Sequence, residues 1–134
     1  MTAFTVGLGC DRGAALDTVR AAVLAALAQA GARPDQVVRA ATIALKRDEA
    51  AFLALAEAYG WPLDFYEAHA LAQVAVPHPS ETVRRYTGTP SVSEAAALLA
   101  AGPAATMDAL VVEKHKHRGE DGRNVTVSIT RIDT

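Results

Sequence analysis

Residues 4–27, FTVGLGCDRGAALDTVRAAVLAAL, decide the fold. The stretch opens with an apolar run that contains Gly7 and Gly9, and a short turn then ends at Gly13. Beyond the turn, apolar residues recur at helical spacing: Leu16, Val19, Val23 and Leu27. A short buried strand that passes through a tight turn into an amphipathic helix is typical of the parallel sheets of α/β proteins.

The rest of the chain repeats this alternation. Apolar and β-branched runs predict strands over 37–45, 63–66 and 109–112, and a final half-exposed strand over 125–130. We therefore expect an α/β fold: a three-layer α/β/α domain with a mostly parallel, mixed central sheet of about five strands and a C-terminal hairpin. We expect a single domain over residues 1–134, with one antiparallel strand at an edge of the sheet.

Polar residues mark the predicted helix starts between these strands. Asp48 is the expected cap of the helix that contains Phe52, and Ser80 is the expected cap of a later helix. Ser91 and Glu94 form the S-x-x-E pattern of a capping box, which predicts one further helix.

The composition excludes several classes of protein. The 134 residues suit one domain, and 30 of them are alanine, so the apolar content of 51% overstates the core. The 13 basic and 15 acidic residues exclude a generally basic surface that would coat nucleic acid. One cysteine indicates a reducing compartment, and we see neither a signal peptide nor a segment long enough to span a bilayer. We expect a cytoplasmic protein with no nucleic-acid or membrane partner.

The turn after the first strand is suited to an anion. Ligands of parallel sheets lie beyond the carboxyl ends of the strands, where a helix N-terminus offers unpaired amides. Gly9 and Gly13 permit close approach of the backbone, and Arg12 adds a guanidinium fork. The glycine spacing departs from the dinucleotide fingerprint, and a purely structural strand-to-helix turn explains these glycines equally well.

Further cations follow other predicted strands. Lys46 and Arg47 follow the second strand, and Lys114 and Lys116 follow the fourth. If those strands are parallel to the first, Arg12, Lys46 and Lys114 meet around one pocket for a small ligand with several negative groups. The alternative is that each lysine only solvates the surface.

Other reactive side chains carry weaker signals. Cys10 lies beside Arg12, which favours a lowered thiol pKa, but no base is close in sequence. A small apolar filler is therefore the better interpretation of Cys10. His115 and His117 form an H-x-H pair without a nearby third ligand, so we predict no metal site. No cofactor motif is present.

Four segments together resemble a family. They span 7–15, 41–63 and 79–102, with a last one formed by VVEKHKH at 111–117 and NVTVSITRI at 124–132. In this order they are similar to the CobE/CbiG C-terminal domain family of cobalamin (vitamin B12) biosynthesis. The resemblance covers 4–132 and implies candidate ligand-binding residues, which are Gly9, Cys10, Arg12, Gly13, Thr42, Lys46, Glu49, Ser91, Val92, Lys114 and Lys116. Relatives often have a hydroxyl residue where this chain has Ala14.

The resemblance implies two functions. The first is a binding protein that holds a precorrin or corrinoid intermediate, with Tyr86 or Val92 against the macrocycle, and assists another enzyme of the pathway. The second is a hydrolase that opens a precorrin lactone and releases acetaldehyde, as in CbiG, with Glu49 or His115 as base and Glu49 and Cys10 as weak catalytic candidates. From the residues alone, nucleotide binding by the glycine turn is a third interpretation.

Overall fold

A computed structural model describes residues 2–133, and the side chains of residues 2–132. The strands are β1 (Thr2–Cys10), β2 (Val37–Ile43), β3 (Leu63–Tyr66), β4 (Leu110–Arg118) and β5 (Asn124–Asp133). The helices are α1 (Leu16–Gln29), α2 (Ala50–Tyr59), α3 (Ala68–Ala72), α4 (Glu81–Thr87) and α5 (Ser93–Ala101). Among the described residues, no helix is long and apolar enough to cross a membrane.

The five strands form one mixed sheet in the order β3-β2-β1-β5-β4. β1, β2 and β3 pair in parallel, and β5 is antiparallel to both β1 and β4. Four strands therefore point the same way, and their carboxyl ends share one edge of the sheet. We call this edge the rim. The α/β class and the mixed sheet predicted from the sequence are confirmed.

The position of the antiparallel strand differs from the prediction. β5 lies between β1 and β4, so it is not an edge strand. Its polar face is also not in solvent, because Ser128 and Thr130 are fully buried. The Ser128 hydroxyl donates to the Ser93 hydroxyl on α5, and these short polar side chains satisfy one another inside the domain. An alternating pattern therefore marks two buried faces here.

Helices cover both faces of the sheet. α1 and α2 pack on one face over a core that includes Val6, Leu8, Phe52 and Val127. α5 packs on the other face, where small residues allow close contact: a Cβ at Gly7 would overlap the Ser93 carbonyl oxygen and lie 2.7 Å from the Ala97 amide nitrogen. The predicted three layers are present, and the N-terminus of α5 lies near the rim.

Candidate functional site

The turn between β1 and α1 lies at the rim, but most of its amides already have partners within the protein. The Gly13 amide donates to Glu49 Oε2 at 3.1 Å, and the Ala15 amide donates to Asp121 Oδ2 at 2.9 Å. The Asp11 amide donates to the carbonyl of Asn124. The open set of backbone donors that the glycine pattern suggested is thus occupied by the protein's own oxygens.

Asp121 has a defined role that the sequence did not indicate. The first residues of α1 have no side-chain cap of their own, and Asp121 supplies the acceptor from the β4–β5 hairpin. The hydrogen bond from Ala15 is the main reason that the pKa of Asp121 lies below its usual range. A carboxylate therefore occupies the helix N-terminus where an external anion was expected.

Arg12 and Lys46 meet at the rim around acidic partners. The Arg12 guanidinium donates to Asp48 Oδ1 at 2.7 Å and to the Leu45 carbonyl at 3.0 Å. Glu49 Oε1 lies 3.3 Å from the buried Lys46 ammonium and 3.6 Å from Arg12. The hydrogen bond from Arg12 holds the pKa of Asp48 below its usual range. The Arg12 side chain itself remains half-exposed.

The prediction that Asp48 caps α2 is wrong. The residue at the cap position is Glu49, and neither carboxylate accepts the capping hydrogen bond. Asp48 and Glu49 instead bond to Arg12, Lys46 and the Gly13 amide, because cations and an unpaired amide attract these carboxylates more strongly than the first turn of a helix does.

Lys114 does not join this cluster. Both lysines of the pair lie within β4 rather than after it, because the strand extends to Arg118. The Lys114 ammonium lies 3.6 Å from Glu94 Oε1 on α5, whereas Arg12 and Lys46 share Glu49 at the start of α2. Since α2 and α5 cover opposite faces of the sheet, the expected meeting of three cations around one pocket is not observed.

Lys116 and Gly9 lie in one row across the rim. Gly9 pairs with Thr126 on β5, and Thr126 pairs with Lys116 on β4. Val92 lies beside this row, 3.8 Å from where a Cβ of Gly9 would be. Lys116 is exposed and makes no ion pair with any side chain of residues 2–132. It is therefore free to meet an external carboxylate.

Ser91 does not form the predicted capping box. The N-cap of α5 is Val92, and the Ser91 hydroxyl donates to Glu94 Oε1 at 2.9 Å. Glu94 is fully buried, and its Oε2 has no hydrogen-bond partner among the described residues. The S-x-x-E pattern therefore marks a buried polar pair, and the predicted cap is wrong because the carboxylate turns toward Lys114.

Cys10 and Thr42 complete the predicted set. Burial raises the pKa of the Cys10 thiol to about 12, which outweighs the opposing effects of Lys46 and Arg12. The expectation of a lowered thiol pKa is wrong, and the thiol is protonated at neutral pH. The Thr42 hydroxyl is buried and donates to the Leu8 carbonyl, so it ties β2 to β1.

The two histidines of β4 face α1. The rings of His115 and His117 lie nearly parallel with their centres 6.5 Å apart, and His115 Nδ1 bonds to Gln29 at 2.9 Å. Within the described part of the chain, no group of three His, Cys, Asp or Glu side chains could hold a metal ion.

An open groove of about 460 Å³ lies at the rim, and one of its lining residues, Leu45, accepts a hydrogen bond from Arg12. Its walls come from the segments that follow β2 and β3 and from the end of α4: Ile43, Ala44, Leu45, Arg47, Glu67, Ala68, Tyr86 and Thr87. Tyr86 is 80% exposed and Leu45 is 55% exposed. We call this feature the rim groove. Its surface is part apolar and part polar, with Arg47 among the lining residues and Arg12 bonded to Leu45, and this combination suits a ligand with a flat apolar ring and acidic edges.

Leu45 and Arg47 were not among the predicted site residues. Arg47 lies 3.8 Å from Glu67 and 5.8 Å from the centre of the Phe65 ring, so β3 and the turn after it orient the guanidinium. The available signal was the position of both residues directly after a parallel strand, next to the predicted Lys46.

The family "Cobalamin synthesis G C-terminus" matches residues 4–130. A cobalt-precorrin-5A hydrolase of Priestia megaterium is 35% identical over 127 residues, which are 95% of this chain but 32% of that protein. Protein CobE of a Sinorhizobium species is 39% identical over 111 residues, which are 81% of this chain and 70% of that protein. The chain thus spans about a third of the hydrolase and most of CobE.

Solved structures agree. The crystal structure of CobE, a protein from the cobalamin (vitamin B12) biosynthetic pathway, has a TM-score of 0.79 with 28% identity and covers 99% of this chain and 92% of that one. The cobalamin biosynthesis protein chiG of Agrobacterium tumefaciens has a TM-score of 0.64 with 34% identity, covering 95% of this chain and 98% of that one. The chain therefore belongs to the CobE/CbiG C-terminal family of cobalamin biosynthesis proteins.

Proposed function

We propose that this cobalamin biosynthesis protein binds a precorrin or corrinoid intermediate in the rim groove and assists another enzyme of the pathway. The observation that carries the proposal is the groove itself: an exposed tyrosine and an exposed leucine line it together with Arg47, and the Arg12 guanidinium bonds to the carbonyl of that leucine, Leu45. A corrinoid has the matching chemistry, since its flat macrocycle is apolar and its edge carries acetate and propionate groups.

The groove is shaped to hold a ligand on the protein surface rather than to enclose it. A volume of about 460 Å³ is in the lower half of the range for small-molecule pockets, and the groove is open to solvent. A macrocycle that lies on Tyr86 and Leu45 would keep its other face accessible. An accessible face suits a protein that presents an intermediate to a second enzyme.

Charge is the second support. Arg12 is half-exposed, and Lys116 is exposed further along the rim. Guanidinium groups bind carboxylates through paired hydrogen bonds, so Arg12 and Arg47 would orient the acidic edge of the ligand. The glycines of the turn would then act by placing Arg12, because most of their neighbouring amides are engaged inside the protein.

Titration of hydrogenobyrinic acid, followed by its visible absorption, tests the proposal. We expect saturable binding by the wild type and at least about tenfold weaker binding by Arg12→Ala, because a hydrogen bond to a charged group contributes about 1.5–3 kcal/mol. Arg33→Ala is the matched control, since Arg33 is exposed and pairs with Asp35 away from the rim. Absence of binding by the wild type, or equal weakening in both variants, would reject the proposal.

A second candidate function is lactone hydrolysis, which the 35% identity to a cobalt-precorrin-5A hydrolase favours. Glu49 would be its base, but both Glu49 oxygens have partners, and the Cys10 thiol is protonated at neutral pH. These contacts favour binding as the main function. Release of acetaldehyde from a cobalt-precorrin lactone by the wild type, lost in Glu49→Gln, would support hydrolysis instead.

A further inference from the structure

Helix α4, which carries Tyr86, has little packing of its own. None of its seven residues is buried, whereas each of the other four helices buries at least one side chain. Local stability follows buried contacts, so α4 depends on what holds the chain at its two ends. Those ends meet where the Ser80 amide donates to the Pro90 carbonyl at 2.8 Å.

Lys114 holds the segment that leads into α4. From β4, its ammonium donates to the His78 carbonyl at 3.1 Å, and its side chain is only 11% exposed. The His78 ring also bonds to Glu113 at 2.9 Å. The chain two residues before the Ser80 cap is therefore fixed to the sheet.

Glu94 holds the segment that leaves α4. Its Oε1 accepts from the Ser91 hydroxyl, and the Ser91 carbonyl accepts from Thr89. The Thr87 hydroxyl then donates to the Thr89 carbonyl at 3.0 Å. A continuous set of hydrogen bonds thus runs from Glu94 to the residue next to Tyr86.

One buried pair joins both attachments, because Glu94 Oε1 lies 3.6 Å from the Lys114 ammonium. Burying two charges is costly, and here Glu94 Oε2 has no partner among the described residues. Apolar residues of similar volume would cost less, so the pair is poorly explained by stability alone. Fixing one geometry of a nearby segment is a role that buried ion pairs are known to have.

We propose that Glu94 and Lys114 are positioning residues that anchor α4 and thereby hold Tyr86 at the rim groove. This inference rests on the proposed function for its effect on ligand binding. Lys114, which the sequence suggested as a direct partner of the ligand, acts on the ligand through Tyr86. Ser91 acts in the same indirect way.

Hydrogen exchange of the unliganded protein tests the anchor without any ligand. In Lys114→Met and in Glu94→Gln, the hydrogen-bonded amides of α4, at residues 83–87, should exchange about tenfold faster or more, with those of α1 and α2 unchanged. Arg39→Met, which breaks the 2.7 Å bridge to Asp64 between β2 and β3, is the control and should leave 83–87 unchanged. Unchanged exchange at 83–87, or faster exchange of the whole chain, would overturn the inference.

A double-mutant cycle tests whether the anchor acts through Tyr86. Lys114→Met should weaken hydrogenobyrinic acid binding about tenfold in the wild type but less than twofold in a Tyr86→Ala background. The same tenfold loss in both backgrounds would show that Lys114 contacts the ligand directly and would overturn the inference. If the wild type binds no corrinoid, the proposed function fails, and the exchange experiment alone decides whether α4 is anchored in this way.

Discussion

The two cations that meet at the rim, Arg12 and Lys46, each already have an acidic partner. Asp48 occupies one side of the Arg12 guanidinium, and Glu49 lies beside Lys46. A ligand carboxylate that approaches Arg12 must therefore compete with Asp48, which is exposed and free to move away. Without ligand, two cations and two carboxylates balance in charge at this site. Ligand binding would replace the Asp48 carboxylate on Arg12 with a carboxylate of the ligand.

Removing that competitor should strengthen binding. In Asp48→Asn, hydrogenobyrinic acid should bind about two- to fivefold more tightly, since an exposed ion pair contributes up to about 1 kcal/mol. Asp35→Asn is the matched control, because Asp35 forms a similarly exposed pair with Arg33. Weaker or unchanged binding by Asp48→Asn in the absorption titration would show that Arg12 does not exchange partners.

The Cys10 thiol makes the free energy of unfolding depend on pH in the alkaline range. Its folded-state pKa, raised by burial to about 12, lies above the ordinary value of 9.0, so folding favours the protonated thiol. That contribution is complete below pH 9 and is lost as the pH rises from about 9 toward 12, with a slope of at most about 1.4 kcal/mol per pH unit. Lysines and tyrosines also titrate in this range, so only the difference between two proteins isolates the thiol.

The comparison is between wild type and Cys10→Ala. The free energy of unfolding, measured with urea at pH 8 and at pH 10, should fall more steeply in the wild type. Equal slopes in the two proteins would mean that the thiol ionises as readily in the folded state as in the unfolded one.

At the scale of elements, the contact between β1 and α5 places the α5 N-terminus at the rim. Gly7 permits this contact, because a side chain there would meet the backbone of Ser93 and Ala97, which cannot rotate away. At Gly9 the nearest atom is the hydroxyl of Thr126 at 2.7 Å, and rotation of that side chain relieves the clash. The two glycines are thus unequal, although both lie in the same motif.

Alanine substitutions at Gly7 and at Gly9 should differ in their effect on the free energy of unfolding. Gly7→Ala should lower the free energy of unfolding by at least about 3 kcal/mol, which is the upper part of the range for overpacking, and Gly9→Ala by less than about 1 kcal/mol. Urea denaturation measures both. A similar loss at the two positions would contradict a tight β1–α5 contact centred on Gly7.

Across the whole molecule, the features that the sequence predicted correctly are those that depend on local sequence pattern. The strand-turn-helix at 4–27 and the later strands follow from periodicity, and Ser80 caps α4 as expected, accepting from the Val83 amide. What it could not predict depends on partners far along the chain. The Ala15 amide, for example, finds Asp121 at a separation of 106 residues.

The same distinction between local pattern and distant partners applies to the residues of the candidate site. Arg12, Lys46 and Glu49 were predicted from the edge rule for parallel strands and do come together. The sequence did not show that Lys114 lies apart from these residues, because it contains no information on how β4 is placed relative to α5. The family resemblance suggested Tyr86 or Val92 against the macrocycle, but the rim groove itself was not predicted, because Tyr86 lies 40 residues beyond Lys46 and no local spacing encodes their proximity.

Corrinoid binding in the rim groove is best tested by a map of amide chemical-shift changes when hydrogenobyrinic acid is added to ¹⁵N-labelled protein. We expect the largest changes at residues 43–47, 67–68 and 86–87, which form the rim groove. Changes confined to the apolar groove of about 330 Å³ between Leu98 and Met107, or no changes at saturating ligand, would contradict this expectation.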